Sequence, residues 1–283
     1  VTFHGVRGST PCSCEANRRH GGNTACVALE TADSDPIVFD LGTGFRFFGE
    51  TQTDDGSFRA HALVTHLHWD HVQGLPFCVP LNRSGARLDV YGPPQDGISV
   101  AEAFEEFMRP PYFPVRVGDL IGDIEFHTID ADDLAIGDAK VRARYVPHIG
   151  PTFGYRVELA GATVAYLSDH QQPLDGSFEV APEVLELADG VDLLIHDAQY
   201  TDEEWALKSH WGHCTVDYAL HVAREAGVRR LALFHHDPAH SDEVIDGFMP
   251  VVREQADRLG IEEVLAAWEG LTITLGRVTA AAR

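Results

Sequence analysis

Hydrophobic and polar residues alternate in short runs through the first third of the chain: VTFHGV (1–6), TACVALE (24–30), PIVFD (36–40) and AHALVT (60–65). Each run is bounded by Gly, Pro, Asp or Asn, so each reads as a strand closed by a turn. RLDVYG (87–92) continues the series. The spacing then changes, because Val100, Ala103, Phe104 and Phe107 recur at i, i+3, i+4 and i+7 and predict a helix over 99–108 with that face in the core. Further strands are expected at DIEFHTI, KVRARYV, FGYRVEL and ATVAYLS, and the unbroken apolar run VDLLI predicts a strand buried on both faces. Towards the C-terminus, Val216, Ala219, Leu220 and Ala223 predict a helix with Thr215 as its N-cap. A strand, RRLALF, follows it, and a second helix starts near Ser241, in which Pro250 predicts a kink or restart. No internal repeat or linker interrupts this order. The Pro/aromatic segment RPPYFP (109–114) reads as a surface connection, with a lid over a site as the competing reading.

Composition narrows the class. With 283 residues, 44% of them hydrophobic, the chain can bury a core without staples, and one domain spanning 1–283 is expected. A net charge of −23 opposes binding to a phosphate backbone, so a structured nucleic-acid partner is disfavoured. Five cysteines, an odd number without a CxxC pair, fit a reducing, cytoplasmic setting. No signal-peptide pattern opens the sequence and no apolar run approaches the ~18 residues of a membrane span. Sixteen histidines direct attention to metal chemistry.

The densest chemistry is THLHWDH, which places His66, His68, Asp70 and His71 within six residues at the end of a predicted strand. Isolated histidines such as His61, His127 or His221 read as ordinary packed residues. Four ionisable side chains gathered at one strand end are costly to bury unless a divalent cation compensates their desolvation. His66 and His68 share a side while strand geometry lasts, and Asp70 and His71 follow on the turn, so one loop can serve two centres.

HxHxDH after a strand resembles the signature of the metallo-β-lactamase superfamily, and the resemblance extends over essentially the whole chain. It implies an α/β (α+β) fold, the αββα sandwich of two packed mixed sheets flanked by helices, with metals at the sheet edge. By the same resemblance His148, in VPHIGPTFGYRVE, is the third histidine of one centre, Asp169, in YLSD, is the bridging carboxylate, and His235, in LALFHHDP, is the last ligand, preferred over His236. The implied sites are His66, His68 and His148 on one ion and Asp70, His71 and His235 on the other. Two divalent ions are implied, zinc first, with manganese or iron as alternatives. Such a pair lowers the pKa of a bridging water and polarises a substrate oxygen, which implies hydrolysis.

Two further pieces narrow the reaction. His196-Asp197-Ala198-Gln199 ends the VDLLI strand, and His213-Cys214-Thr215 lies sixteen positions beyond Asp197. The pair resembles the HEAT and HST motifs of the ribonuclease Z and phosphodiesterase branch, although Asp stands for Glu, Gln for Thr and Cys214 for Ser. The resemblance makes His213 a general acid oriented by Asp197, with Asp70 also assigned to catalysis. Cys214 is expected to be small and semi-buried rather than a nucleophile. GVRGSTP, HGGNTAC and DLGTGFR resemble a branch that includes phosphoribosyl cyclic phosphodiesterase; their glycines permit tight turns near the sheet edge, where Arg7 or Arg46 either meets a phosphate or is an ordinary surface or core-edge arginine. Cys12 and Cys14 resemble half of an extra zinc site, with Asn17 where the next Cys belongs.

The expected function is therefore a binuclear metal-dependent phosphodiesterase acting on a small, cyclic phosphodiester. The alternatives are a thioester or lactone hydrolase, and an RNA-processing nuclease of ribonuclease Z type. Ribonuclease Z carries an RNA-grasping arm between the third His and the bridging Asp, and only twenty-one positions separate His148 from Asp169 here. A homodimer is compatible with this reading.

Overall fold

The alternating runs fold as strands because their apolar faces meet between two sheets, and the computed structural model describes them within residues 1–276. Six strands, β1 (Thr2–Gly5), β2 (Cys26–Leu29), β3 (Ile37–Phe39), β4 (Arg59–Leu63), β5 (Arg87–Gly92) and β6 (Asp123–Thr128), lie in chain order in the first sheet. Its first two pairings are antiparallel and the rest parallel. The second sheet holds β7 (Asp133–Ile136), β8 (Ala139–Tyr145), β9 (Phe153–Leu159), β10 (Ala162–Leu167), β11 (Leu193–Asp197), β12 (Arg230–Phe234) and β13 (Glu263–Ala266), also in chain order. Here β7 to β10 pair antiparallel and β10 to β13 parallel.

Helices cover both outer faces, giving the four-layer αββα order expected. They are α1 (Gly44–Glu50), α2 (Trp69–Val72), α3 (Val100–Phe107), α4 (Pro182–Ala188), α5 (Asp202–Lys208), α6 (Val216–Glu225) and α7 (Asp242–Leu259). Phe45 and Phe48 of α1 and Val100 and Phe104 of α3 pack on the first sheet. Helices α4, α6 and α7 pack on the second. Between the sheets, Phe3, Phe39 and Leu63 meet Tyr155, Tyr166 and Phe234, and the Phe39 and Tyr166 rings stack at 4.6 Å. Each fully buried large apolar side chain in this seam contributes about 1.5–3 kcal/mol. In β11, Leu193 and Ile195 face the seam while Leu194 faces the helices, so VDLLI is buried on both sides.

Capping follows the sequence: the side chains of Ser99, Thr215 and Ser241 accept from the backbone N–H of Glu102, Tyr218 and Val244. Pro250 is the exception, because α7 continues through it without a restart. Ile245, Met249, Val252 and Ala256 form the buried face, whereas Pro250 and Asp246 face solvent, where water satisfies the carbonyl that loses its N–H partner. Among the described residues no helix is long and apolar enough to cross a membrane.

Candidate metal centre

Except for His213, the clustered candidates sit where strands of the two sheets end. The loop after β4 carries His66 and His68 and runs into α2 with Asp70 and His71. His148 follows β8, Asp169 follows β10, Asp197 ends β11, His213 precedes α6 and His235 follows β12. One loop of the first sheet thus faces four loop positions of the second.

The structure brings these side chains into two adjoining groups. In one, His66 Nε2 lies 2.8 Å from His68 Nδ1, and His148 Nε2 lies 3.4 Å from the same His68 atom. In the other, Asp70 Oδ2 lies 3.3 Å from His71 Nε2 and 3.2 Å from His235 Nε2. Asp169 stands between them. Its Oδ2 is 3.9 Å from His66 and 3.6 Å from His148, while its Oδ1 is 3.1 Å from His71 and 3.4 Å from His235.

The outer ring nitrogens are held by the protein. His71 Nδ1–H donates to Asp40 Oδ2 at 2.8 Å, His148 Nδ1–H to the Gly212 carbonyl at 2.7 Å, and His235 Nδ1–H to Gln199 Oε1 at 2.8 Å. His66 Nδ1 is 3.0 Å from Thr65 Oγ1. Each ring therefore turns Nε2 inwards as an acceptor, the arrangement that presents neutral imidazole to a cation. Asp70 is held too, since the Ser9 backbone N–H donates to its Oδ2 at 2.7 Å.

Residues of this kind and spacing fit divalent cations. His71 Nε2 is buried and has no hydrogen-bond partner, although two carboxylates flank it. Most of the donor separations above lie near ~3.3 Å, the edge of a tetrahedron built on the ~2.0–2.1 Å bonds of zinc to nitrogen and oxygen. The electrostatics divide the rings: burial opposes protonation of His71 and His235, but Asp169, with Asp70, outweighs it and raises His71 well above the ordinary imidazole range and His235 above it. Burial pushes the His148 imidazole down to about 4, and burial with the neighbouring His71 holds His66 well below its usual range. Burial opposes ionisation of Asp70 and Asp169, but the surrounding histidines outweigh it and hold both carboxyls well below the ordinary carboxylate range. His66, His148 and the two carboxylates thus stand in the forms that bind a metal, while a cation taken up by His71 and His235 would displace their protons.

His213 stands at the rim of the second group, only 6% exposed, with Nδ1 2.7 Å from Asp197 Oδ2 and 3.8 Å from Asp169 Oδ2. It is therefore no solvent-facing loop residue. Cys214 is more deeply placed than expected: it is fully buried, its Sγ lies 3.1 Å from the Asp197 carbonyl, and burial pushes its thiol well above the usual range, so it is no nucleophile.

Other expectations are redistributed. His236 turns away from the cluster, its Nε2 3.0 Å from the Ala267 carbonyl, so His235 is the one that joins it. Arg7 is fully buried and donates to the carbonyls of Gly21, Asp237 and His240, which removes it from any phosphate. Arg46 lies on α1 beside Glu50, outside the cluster. Cys12 accepts from the Asn17 amide at 3.1 Å, and among the described residues no metal-holding group includes either Cys12 or Cys14.

Sequence reasoning missed Asp40, Gln199 and two glycines. A Cβ on Gly8 would stand 2.4 Å from His235 Nδ1, and one on Gly212, at φ +94°, would stand 2.6 Å from His148 Nδ1. The available signal was position: Gly8 lies in GVRGSTP, Asp40 in DLGTGFR and Gln199 in His196–Gln199, all quoted above, and Gly212 directly precedes His213.

A family profile described as a beta-lactamase superfamily domain matches residues 38–236. The ribonuclease Z of Haloferax volcanii is 29% identical over 282 residues, covering 83% of this chain and 83% of its own. The short form of human tRNase Z superposes with a TM-score of 0.68 at 21% identity, over 98% of this chain and 99% of its own. A diphosphatase of the PhnP family gives a TM-score of 0.67 at 19% identity, over 97% of each chain. These two structural likenesses concern the fold.

Proposed function

Since the chain belongs to the beta-lactamase superfamily domain family, whose profile spans residues 38–236, we propose that it is a metal-dependent phosphodiesterase with His213 as its proton donor. His66, His68 and His148 would hold one divalent cation and Asp70, His71 and His235 a second, with Asp169 shared. When bound, such a pair supplies Lewis-acid activation of water and of the phosphoryl oxygens.

The chain's own residues do the rest. Asp197 accepts the Nδ1–H of His213 at 2.7 Å, which fixes the ring and its tautomer. The opposite edge, Nε2, is then free to deliver a proton to a departing alkoxide. This pair is the observation that carries the reading. A thioester or lactone hydrolase needs the same inner cluster, but a thiolate leaving group needs little proton delivery.

The relatives' names favour a ribonuclease Z type of substrate over a small cyclic phosphodiester. Two observations support the small substrate as a second reading. β9 and β10 are joined by the two-residue turn Ala160–Gly161, which leaves no arm at the position where one would grasp RNA, and the net charge is −23. The deciding experiment incubates metal-reconstituted protein with a 3′-extended precursor tRNA, 2′,3′-cyclic AMP, a lactone and a thioester. Cleavage of either phosphodiester supports the proposal, and turnover of the lactone or thioester alone overturns it.

A further inference from the structure

Beside the cluster, a cavity of about 810 Å³ opens with His68 in its wall. That size lies within the ~300–1,000 Å³ of small-molecule sites. Its surface is mostly apolar and carries five aromatic side chains: Trp69 comes from the HLHWDH segment, Phe77 from the turn after it, Phe107 from α3, and Tyr112 and Phe113 from the RPPYFP segment. Phe77 and Phe113 meet edge to face at 5.9 Å. Trp69 and Tyr112, each 76% exposed, leave flat apolar faces in water at the mouth. The RPPYFP segment is thus one wall of a cavity that adjoins the candidate centre.

The polar lining is sparse and specific. Among the described residues no Lys or Arg lines the cavity, and Glu106 is the only carboxylate there, so it is a poor place for an anion. Gln73 and Gln95 supply amides, and the Gln95 Nε2–H donates to the Pro151 carbonyl at 3.1 Å, which fixes that amide. The occupant this lining suits is neutral and planar, with apolar faces and a hydrogen-bonding edge.

We propose that the cavity holds the nucleobase of a nucleotide phosphodiester, stacked on Trp69 with its edge towards Gln73 and Gln95, while the phosphate lies past His68 at the candidate centre. This rests on the phosphodiesterase reading. Base-on-aromatic stacking is worth about 1–3 kcal/mol per base, or roughly 5- to 150-fold in affinity. The same base chemistry comes with a mononucleotide or with a residue of an RNA chain.

The test compares adenosine 5′-monophosphate with ribose 5-phosphate by calorimetry on metal-reconstituted protein. Adenosine monophosphate is expected to bind at least about 5-fold tighter. Trp69→Ala and Phe113→Ala should each remove most of that advantage, and Trp69→Phe, which keeps a ring, should restore it. In parallel, kcat/KM is measured for 2′,3′-cyclic AMP, base-free glycerol 1,2-cyclic phosphate and a 3′-extended precursor tRNA. A loss confined to cyclic AMP over glycerol cyclic phosphate supports a mononucleotide, and a loss on the tRNA supports an RNA residue. Equal affinity for adenosine monophosphate and ribose 5-phosphate overturns the proposal, as does unchanged nucleotide affinity in both alanine variants, or capture of a decanoyl-homoserine lactone in place of the nucleotide. Should adenosine monophosphate outbind ribose 5-phosphate through Trp69 while no phosphodiester is cut, the base site stands and the phosphodiesterase reading falls.

Discussion

His213 and Asp197 face each other across 2.7 Å, one at the start of α6 and the other at the end of β11. The carboxylate is fully buried and also accepts from the backbone N–H groups of Gln199 and Cys214, so the pair is anchored on the protein. If His213 protonates an alkoxide, His213→Ala should slow cleavage of 2′,3′-cyclic AMP or precursor tRNA by ~10²–10⁴. The loss should be far smaller on bis(p-nitrophenyl) phosphate, whose leaving group needs little protonation. Metal content measured by mass spectrometry should be unchanged. Equal losses on both substrates would remove the acid role.

The adjacent histidines after β12 separate cleanly. His235→Ala should lose metal and activity together, because its Nε2 reaches both Asp70 and Asp169. His236→Ala should keep the metal and instead lower stability by about 0.5–1.5 kcal/mol, since it removes one of the two imidazole hydrogen bonds to the buried Ala267 carbonyl, the other coming from His20. Urea unfolding beside metal analysis distinguishes the two, and the reverse pattern would move the ligand by one residue.

Asp40→Asn should weaken metal binding ~10–100-fold in a chelator competition, the usual effect of removing the partner that orients a ligating histidine. Asp40 receives His71 Nδ1–H at 2.8 Å and belongs to neither inner group. Unchanged affinity would show that the ring needs no such partner.

Gly8→Ala forces a methyl to within 2.4 Å of His235 Nδ1 and 2.6 Å of Gln199 Oε1. Its expected signature is loss of metal from the group that contains His235, read as a fall in bound metal per chain. Full metal occupancy in that variant would mean that the ring and the Gly8 loop move apart freely.

Chelation should lower the thermal midpoint, and readdition of zinc or manganese should restore it, because a ligand that binds only the folded state stabilises it by mass action. A melting curve indifferent to chelator would contradict a cation held between the two sheets.

Much of this was legible because four of the candidate ligands are neighbours in sequence. His66, His68, Asp70 and His71 fall within six residues, and no folding is needed to see them together. His148, Asp169 and His235 came only through resemblance, since their approach depends on three separate strands ending at one edge. Asp40 lies thirty-one positions from His71 and Gln199 thirty-six from His235, so their hydrogen bonds exist only once the layers are stacked. Arg7 shows the opposite failure. A motif arginine beside glycines suggested phosphate, whereas the side chain is fully buried and three backbone carbonyls take its Nε and Nη1, leaving Nη2 unpaired. The restart expected at Pro250 does not occur, and a sequence does not state which side of a helix faces water.

The carboxylate of Asp40 joins what would otherwise be separate concerns. Besides His71, it accepts from Thr65 and, at 2.9 Å, from the hydroxyl of Tyr166, which belongs to β10 of the opposite sheet. The relative slide of the two layers and the aim of one ligand are thereby a single variable. Replacements deep in the seam, at Phe39 or Tyr166, far from any reacting atom, must register as changes in metal affinity. The interior of the sandwich is therefore less free to drift than an ordinary core, and selection on the chemistry reaches it through that one oxygen.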